Sequence, residues 1–173
     1  MAVLTDERRR DLGIRRFPLL IYVMAPLVAL VLQAWLPRVT MGHVWYDLPL
    51  VVTVYFTLGQ RNPVQGTLMG ATLGILQDAL SHYAIGVNGI AKTVAGFIAA
   101  SVGVRIDVGN HTIRLLLTFL LSLLCSGIYV FVYRILLGLG LDWSWLAELA
   151  KAMVNCLIAM AVFPMFDRLQ IKE

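Results

Sequence analysis

Apolar runs recur along the whole chain, and several reach the ~20 residues that a helix needs to cross the ~30 Å hydrocarbon core of a bilayer. In that solvent every backbone N–H and C=O has to be satisfied inside the protein, so such runs fold as helices. They read as six spans: Phe17–Leu36, Leu48–Gly59, Pro63–Leu80, Val87–Val104, Thr112–Leu139 and Trp143–Phe166. The expected fold is an all-α integral membrane protein, six transmembrane helices in one bundle over residues 17–168. A basic cytoplasmic segment, 1–16, precedes the bundle, and a short cytoplasmic tail, 169–173, follows it. Composition agrees: 60% of the 173 residues are hydrophobic and 14% charged, too little polar sequence for a soluble domain.

Charge placement orients the spans. Arg8, Arg9, Arg10, Arg15 and Arg16 crowd the amino-terminal segment and hold it on the cytoplasmic side; contact with anionic lipid or a cytoplasmic partner is the further role open to them. Arg61, Arg105, Arg114, Arg168 and Lys172 fall on that same side, whereas only Arg38 falls in an outer loop. Lys92, Arg134 and Lys151 lie within spans, toward their outer ends. Both termini are therefore expected in the cytoplasm. The formal charge of +4 is no nucleic-acid footprint, because most of the basic residues sit at helix ends. Phe17–Leu36 reads as an uncleaved first span, since no clear small-x-small site follows it. Cys125 and Cys156 fall mid-span as small apolar core residues, without metal-ligand spacing.

Two ladders of small residues mark the third and fourth spans. Gly66, Gly70 and Gly74 lie four apart and share one helix face. Ala91, Ala95, Ala99 and Gly103 repeat the device, with Gly96 and Ala100 beside them. Such faces admit close approach of another backbone, and packing within one molecule is preferred over a dedicated dimer face. Between the ladders stand Asp78 and Lys92, opposite charges in apolar sequence on either side of one turn. The preferred reading is structural: an ion pair, or a loop-capping carboxylate, that fixes the hairpin. The functional alternative is a polar floor for an outward-facing pocket.

Smaller signals complete the pass. Thr53, Thr57 and Gln60 form a weak polar stripe for interhelical hydrogen bonds. The second span is short, so it is expected to tilt little or to lie buried among its neighbours. Thr112–Leu139 is too long for an upright helix and is expected to tilt or to bend at Ser126-Gly127. Asn110-His111-Thr112 is placed to cap it. Glu148 and Lys151 are spaced to pair along the last helix. No catalytic set, zincin motif or phosphate-binding loop emerges, and His43, His82 and His111 are scattered. A scaffold or binding protein without cofactor or metal is expected, not an enzyme.

The residues Asp47-Leu48-Pro49, Tyr55, Pro63, Gly66, Gly70-x-x-x-Gly74-x-x-x-Asp78 and Gly86 resemble the rod-shape-determining protein MreD family. Length, six spans and a basic amino terminus fit as well. The resemblance implies a multi-pass protein of the bacterial inner membrane that helps organise cell-wall elongation. It implies binding to the single-pass protein MreC, and through it to the MreB filament and a peptidoglycan synthase pair. It also implies a fold like the substrate-binding subunits of energy-coupling-factor vitamin transporters, with Asp78, Gly70 and Gly74 supporting the central hairpin. The runner-up is an actual vitamin-binding subunit, for which Trp45, Tyr46, His82, Tyr83, Asn88 and Lys92 would line an outward pocket. A third reading, a peptide-lipid or wall-precursor binder, has only Arg134 and Lys92 behind it.

Overall fold

The computed structural model describes residues 17–38, 45–81, 85–106, 109–138 and 143–170. The five N-terminal arginines, with His43, His82, Tyr83 and Lys172, lie outside these. The described residues form six α-helices and no strand: α1 Leu19–Trp35, α2 Leu48–Gln60, α3 Pro63–Ser81, α4 Val87–Arg105, α5 His111–Phe131 and α6 Trp145–Arg168. A 3-10 turn, Leu36–Arg38, ends α1, and a π-helical turn, Val132–Leu136, extends α5. Three helices are long and apolar enough to cross a bilayer: α4, α5 with its extension, and α6. α1 and α2 are apolar but shorter. α3 has the length, at 19 residues, but its glycines, Gln65, Gln77 and Asp78 hold its hydropathy down.

α2 is the axis of the molecule. Every residue from Pro49 to Gly59 is buried, and the helix touches all five others. A helix surrounded by protein needs no polar face, which is why this short segment reads as almost uniformly apolar. It starts under an Asp47 cap with Pro49 in its first turn, where a missing N–H costs nothing. It stops at Arg61, in the left-handed conformation, before Asn62-Pro63 opens α3. Asn62 then caps α3 by accepting from Val64 and Gln65 N–H. At the end where α1 begins and α2 and α6 finish, Phe17, Tyr22, Tyr55, Phe56, Phe163 and Phe166 pack with ring centroids 5.0–5.9 Å apart.

α3 and α4 are the closest pair of helices. A Cβ on Gly66 would stand 2.5 Å from the Gly96 carbonyl oxygen; one on Gly70 would strike the Lys92 carbonyl, and one on Gly74 the Asn88 carbonyl. The glycine ladder thus lies on the Asn88–Gly89, Lys92–Thr93 and Gly96–Ala100 face of α4. The alanine ladder points elsewhere. Ala91, Ala95 and Ala99 are sealed in the core with α2, and a Cβ on Gly103 would lie 2.6 Å from the Leu58 carbonyl oxygen. α4 therefore uses two small-residue faces at once, one for α3 and one for α2.

Three local expectations change. The Thr53 and Thr57 hydroxyls bond back to Pro49 and Thr53 carbonyls of their own helix, so of the expected stripe only Gln60 reaches a neighbour, Tyr22 of α1. Such back-bonding is the cheapest way to satisfy a hydroxyl inside an apolar bundle. α5 runs unbroken through Ser126-Gly127, and its hydrogen-bond register widens only at Val132–Leu136. Arg114, expected in an inner loop, is on the first turn of α5 and 2% exposed. The Asn110 cap does form, its side chain accepting from Thr112 N–H at 2.9 Å.

Candidate functional site

The Asp47-Leu48-Pro49 segment carries more than a helix start. One carboxylate oxygen of Asp47 accepts from Leu50 N–H at 3.1 Å, the usual capping bond. The other accepts from the Lys92 ammonium at 2.7 Å. Lys92, one turn into α4, is fully buried, and Asp47 nearly so. The backbone N–H of Asp47 donates to Asn155 of α6 at 2.7 Å, and the Asn155 amide donates to the Ser122 hydroxyl of α5 at 2.8 Å. Gln33 of α1 clamps the same entry from the other side, donating to the Tyr46 carbonyl and accepting from Leu48 N–H. Five helices thus converge on one buried ion pair. A charge buried alone in such surroundings costs several kcal/mol, so Asp47 and Lys92 are tolerable only together.

The expected Asp78–Lys92 pair is not formed. Asp78, 1% exposed, spends both oxygens on the start of α4: Gly86 N–H at 2.8 Å and Gly89 N–H at 3.2 Å on one, Asn88 N–H at 3.3 Å and the Asn88 amide at 2.7 Å on the other. Gly86, with φ of 102°, has no side chain to cap its own helix, so the carboxylate of the neighbouring helix does it. This is the loop-capping carboxylate, and it leaves Lys92 to Asp47. The reason is register: Lys92 stands one turn below the N-terminus of α4 that Asp78 occupies, and its chain faces α2.

A second polar lock closes the opposite end. The Arg114 guanidinium grips Asp167 of α6 with two parallel bonds, 3.1 and 2.9 Å long. It also lies over the Phe163 ring, 5.6 Å from the centroid. Tyr55 of α2 donates to the same carboxylate at 2.8 Å. Tyr55 thus joins α2 to the α5–α6 pair at a point where the sequence shows only an aromatic in an apolar run.

Beside the Asp47 web lies a cavity of about 610 Å³. It sits where α1, α3 and α5 finish and α2, α4 and α6 begin. Tyr46, Asp47, Gln77, Asn88, Glu148 and Lys151 are among its lining residues. Glu148 accepts from the Ser126 hydroxyl and stands 3.9 Å from Lys151, as the spacing of the pair predicts. Of the aromatic pocket proposed from sequence, Tyr46 and Asn88 line this cavity, while Lys92 is held beneath it by Asp47. Among the described residues no group of three His, Cys, Asp or Glu side chains is placed to hold a metal ion.

The residues of the resemblance are now all accounted for by geometry: an Asp cap, a tyrosine lock, a glycine face and a carboxylate under a glycine turn. The sequence model of the rod shape-determining protein MreD matches residues 14–172. The chain belongs to the MreD family. No curated protein and no solved structure matches it. MreD membership makes this a rod shape-determining membrane protein, in a family of structural proteins for cell shape. In this MreD chain Gln33, Asp47, Asp78, Lys92, Arg114, Ser122, Asn155 and Asp167 join one helix to another. Four of them, Gln33, Ser122, Asn155 and Asp167, drew no notice in the sequence. Asn155 alone carried a signal, as a lone amide in the middle of an apolar span.

Proposed function

We propose that this protein is a non-enzymatic scaffold of the bacterial cell-wall elongation complex in the inner membrane. It holds an MreC-type single-pass partner and, through it, the MreB filament and peptidoglycan synthases, and so helps regulate cell shape and wall synthesis. The observation that carries this reading is the family match over residues 14–172. The disposition of charge supports it: Lys92, Arg114 and Asp78 are each committed to another element of the same bundle. That leaves a stiff body with apolar outer faces. Leu20, Leu27 and Val31 on α1 and Leu146, Met153 and Leu157 on α6 are exposed, as lipid or a partner helix requires.

All six helices cross the bilayer in this proposal, in a bundle of the energy-coupling-factor substrate-binding type. Their alternation supports it, with α1, α3 and α5 finishing at the end where α2, α4 and α6 begin. Arg61, Arg105, Arg114 and Arg168 gather at the other end, which favours that end, and both termini, on the cytoplasmic side.

Affinity purification of the tagged chain from its own membranes in mild detergent, followed by mass spectrometry, tests the scaffold. Recovery of a single-span coiled-coil protein with wall synthases is expected. Recovery instead of a membrane coupling subunit with two ATPases would overturn it.

A further inference from the structure

We propose that the 610 Å³ cavity binds a small zwitterion, an ammonium group joined by a short linker to a phosphate or carboxylate. Its volume is that of a small-molecule site. Within its lining the charges are sorted. Asp47 is already neutralised by Lys92 and held by Leu50 N–H. What remains is Glu148 beside Lys151, an acid and a base 3.9 Å apart whose side chains are 22% and 32% exposed. Apart at that distance, the two are loosely paired, and each has capacity for a ligand group of opposite sign.

A third lining residue sets the polarity. Gln77 of α3 is 7% exposed, and its side-chain carbonyl oxygen accepts no hydrogen bond. An acceptor left unpaired inside a protein is costly, and a donor brought by a ligand would satisfy it. Gln77 and Glu148 together ask for a donor-rich cation, and Lys151 for the anion attached to it. The aromatic rings of Tyr46 and Tyr129 add apolar faces for the linker. Two sources share this chemistry: an ethanolamine phospholipid headgroup entering from the bilayer, and a free zwitterion entering from water.

The test uses the full chain in nanodiscs of equal dioleoyl phosphatidylethanolamine and dioleoyl phosphatidylglycerol, with retained lipid counted by native mass spectrometry. A parallel arm adds O-phosphoethanolamine to the protein in detergent and follows the unfolding midpoint. Preferential retention of the ethanolamine lipid is expected, falling about tenfold in Gln77→Leu and in Glu148→Gln for each charge-assisted bond lost. Lys151→Gln, at a partly exposed position, is the variant least able to disturb folding, and unfolding midpoints without ligand check all three. A midpoint shift with O-phosphoethanolamine and no lipid preference supports the same site with a soluble zwitterion. Equal retention of both lipids with no midpoint shift, or wild-type behaviour of all three variants, overturns the proposal. The pull-down outcome bears on the scaffold alone, so the two readings stand or fall separately.

Discussion

Lys92→Met is the perturbation that most directly probes the centre of the bundle. Methionine keeps the apolar stem of the lysine and removes its charge. The Asp47 carboxylate then stays buried with only the Leu50 N–H against it, because Lys92 was its 2.7 Å partner. Removing one member of a buried pair costs about 3–5 kcal/mol. For a chain of this size that corresponds to a fall in the unfolding midpoint of about 6–20 °C. Asp47→Asn alone should cost a similar amount, since it strands the ammonium. The double variant removes both charges, and asparagine still caps α2. It should recover to within about 1–2 kcal/mol of the parent, for a coupling of at least ~4 kcal/mol. Unfolding of all four proteins in mixed micelles, titrated with sodium dodecyl sulfate, gives the cycle. Simple additivity would refute the pairing, as would rescue of Lys92→Met by Asp78→Asn in place of Asp47→Asn.

Gly70→Ala should cost about 1–3 kcal/mol by forcing α3 off the Lys92 carbonyl, whereas Gly127→Ala, whose Cβ meets nothing within 4 Å, should be neutral or stabilising; equal thermal shifts would deny the close approach. Asp78→Ala should lose about 1–3 kcal/mol with the α4 cap, and adding Lys92→Ala should deepen the loss; recovery of folded yield in the double variant would restore the pairing across the turn. Arg114→Lys exchanges a two-bond grip on Asp167 for a point charge and should lower stability by about 1–3 kcal/mol. Tyr55→Phe should cost about 0.5–1.5 kcal/mol, less than the arginine change because Asp167 keeps Arg114; midpoints in the reverse order would contradict the lock as described.

What was legible in the chain follows from what each signal depends on. The helices of α4, α5 and α6 announce themselves by length and hydropathy, which need no neighbour to interpret. The glycine ladder is equally local, because removing three side chains from one face permits close packing whatever stands opposite. Asp78 could be read as a cap, since the glycine turn it serves begins eight residues on. Lys92 could not be assigned, because its partner lies 45 residues away at the start of another helix. Proximity in sequence favoured Asp78, and helix register overruled it. Arg114 was read only as a topology signal for a related reason: the acid it grips arrives from the far end of the chain, 53 residues on.

The sequence by itself determined that this chain is helical and membrane-embedded, where its turns fall, and which helix faces are bare enough to touch. These depend on the cost of exposed backbone in lipid and on the space a side chain takes, both settled within a few residues. Only the tertiary structure decided which charge meets which, that α2 is the axis, that the alanine face of α4 serves α2 and not α3, and that a polar cavity opens above the Asp47–Lys92 pair. Those outcomes depend on the rotation of each helix about its axis. That rotation is chosen by all the contacts of the bundle together.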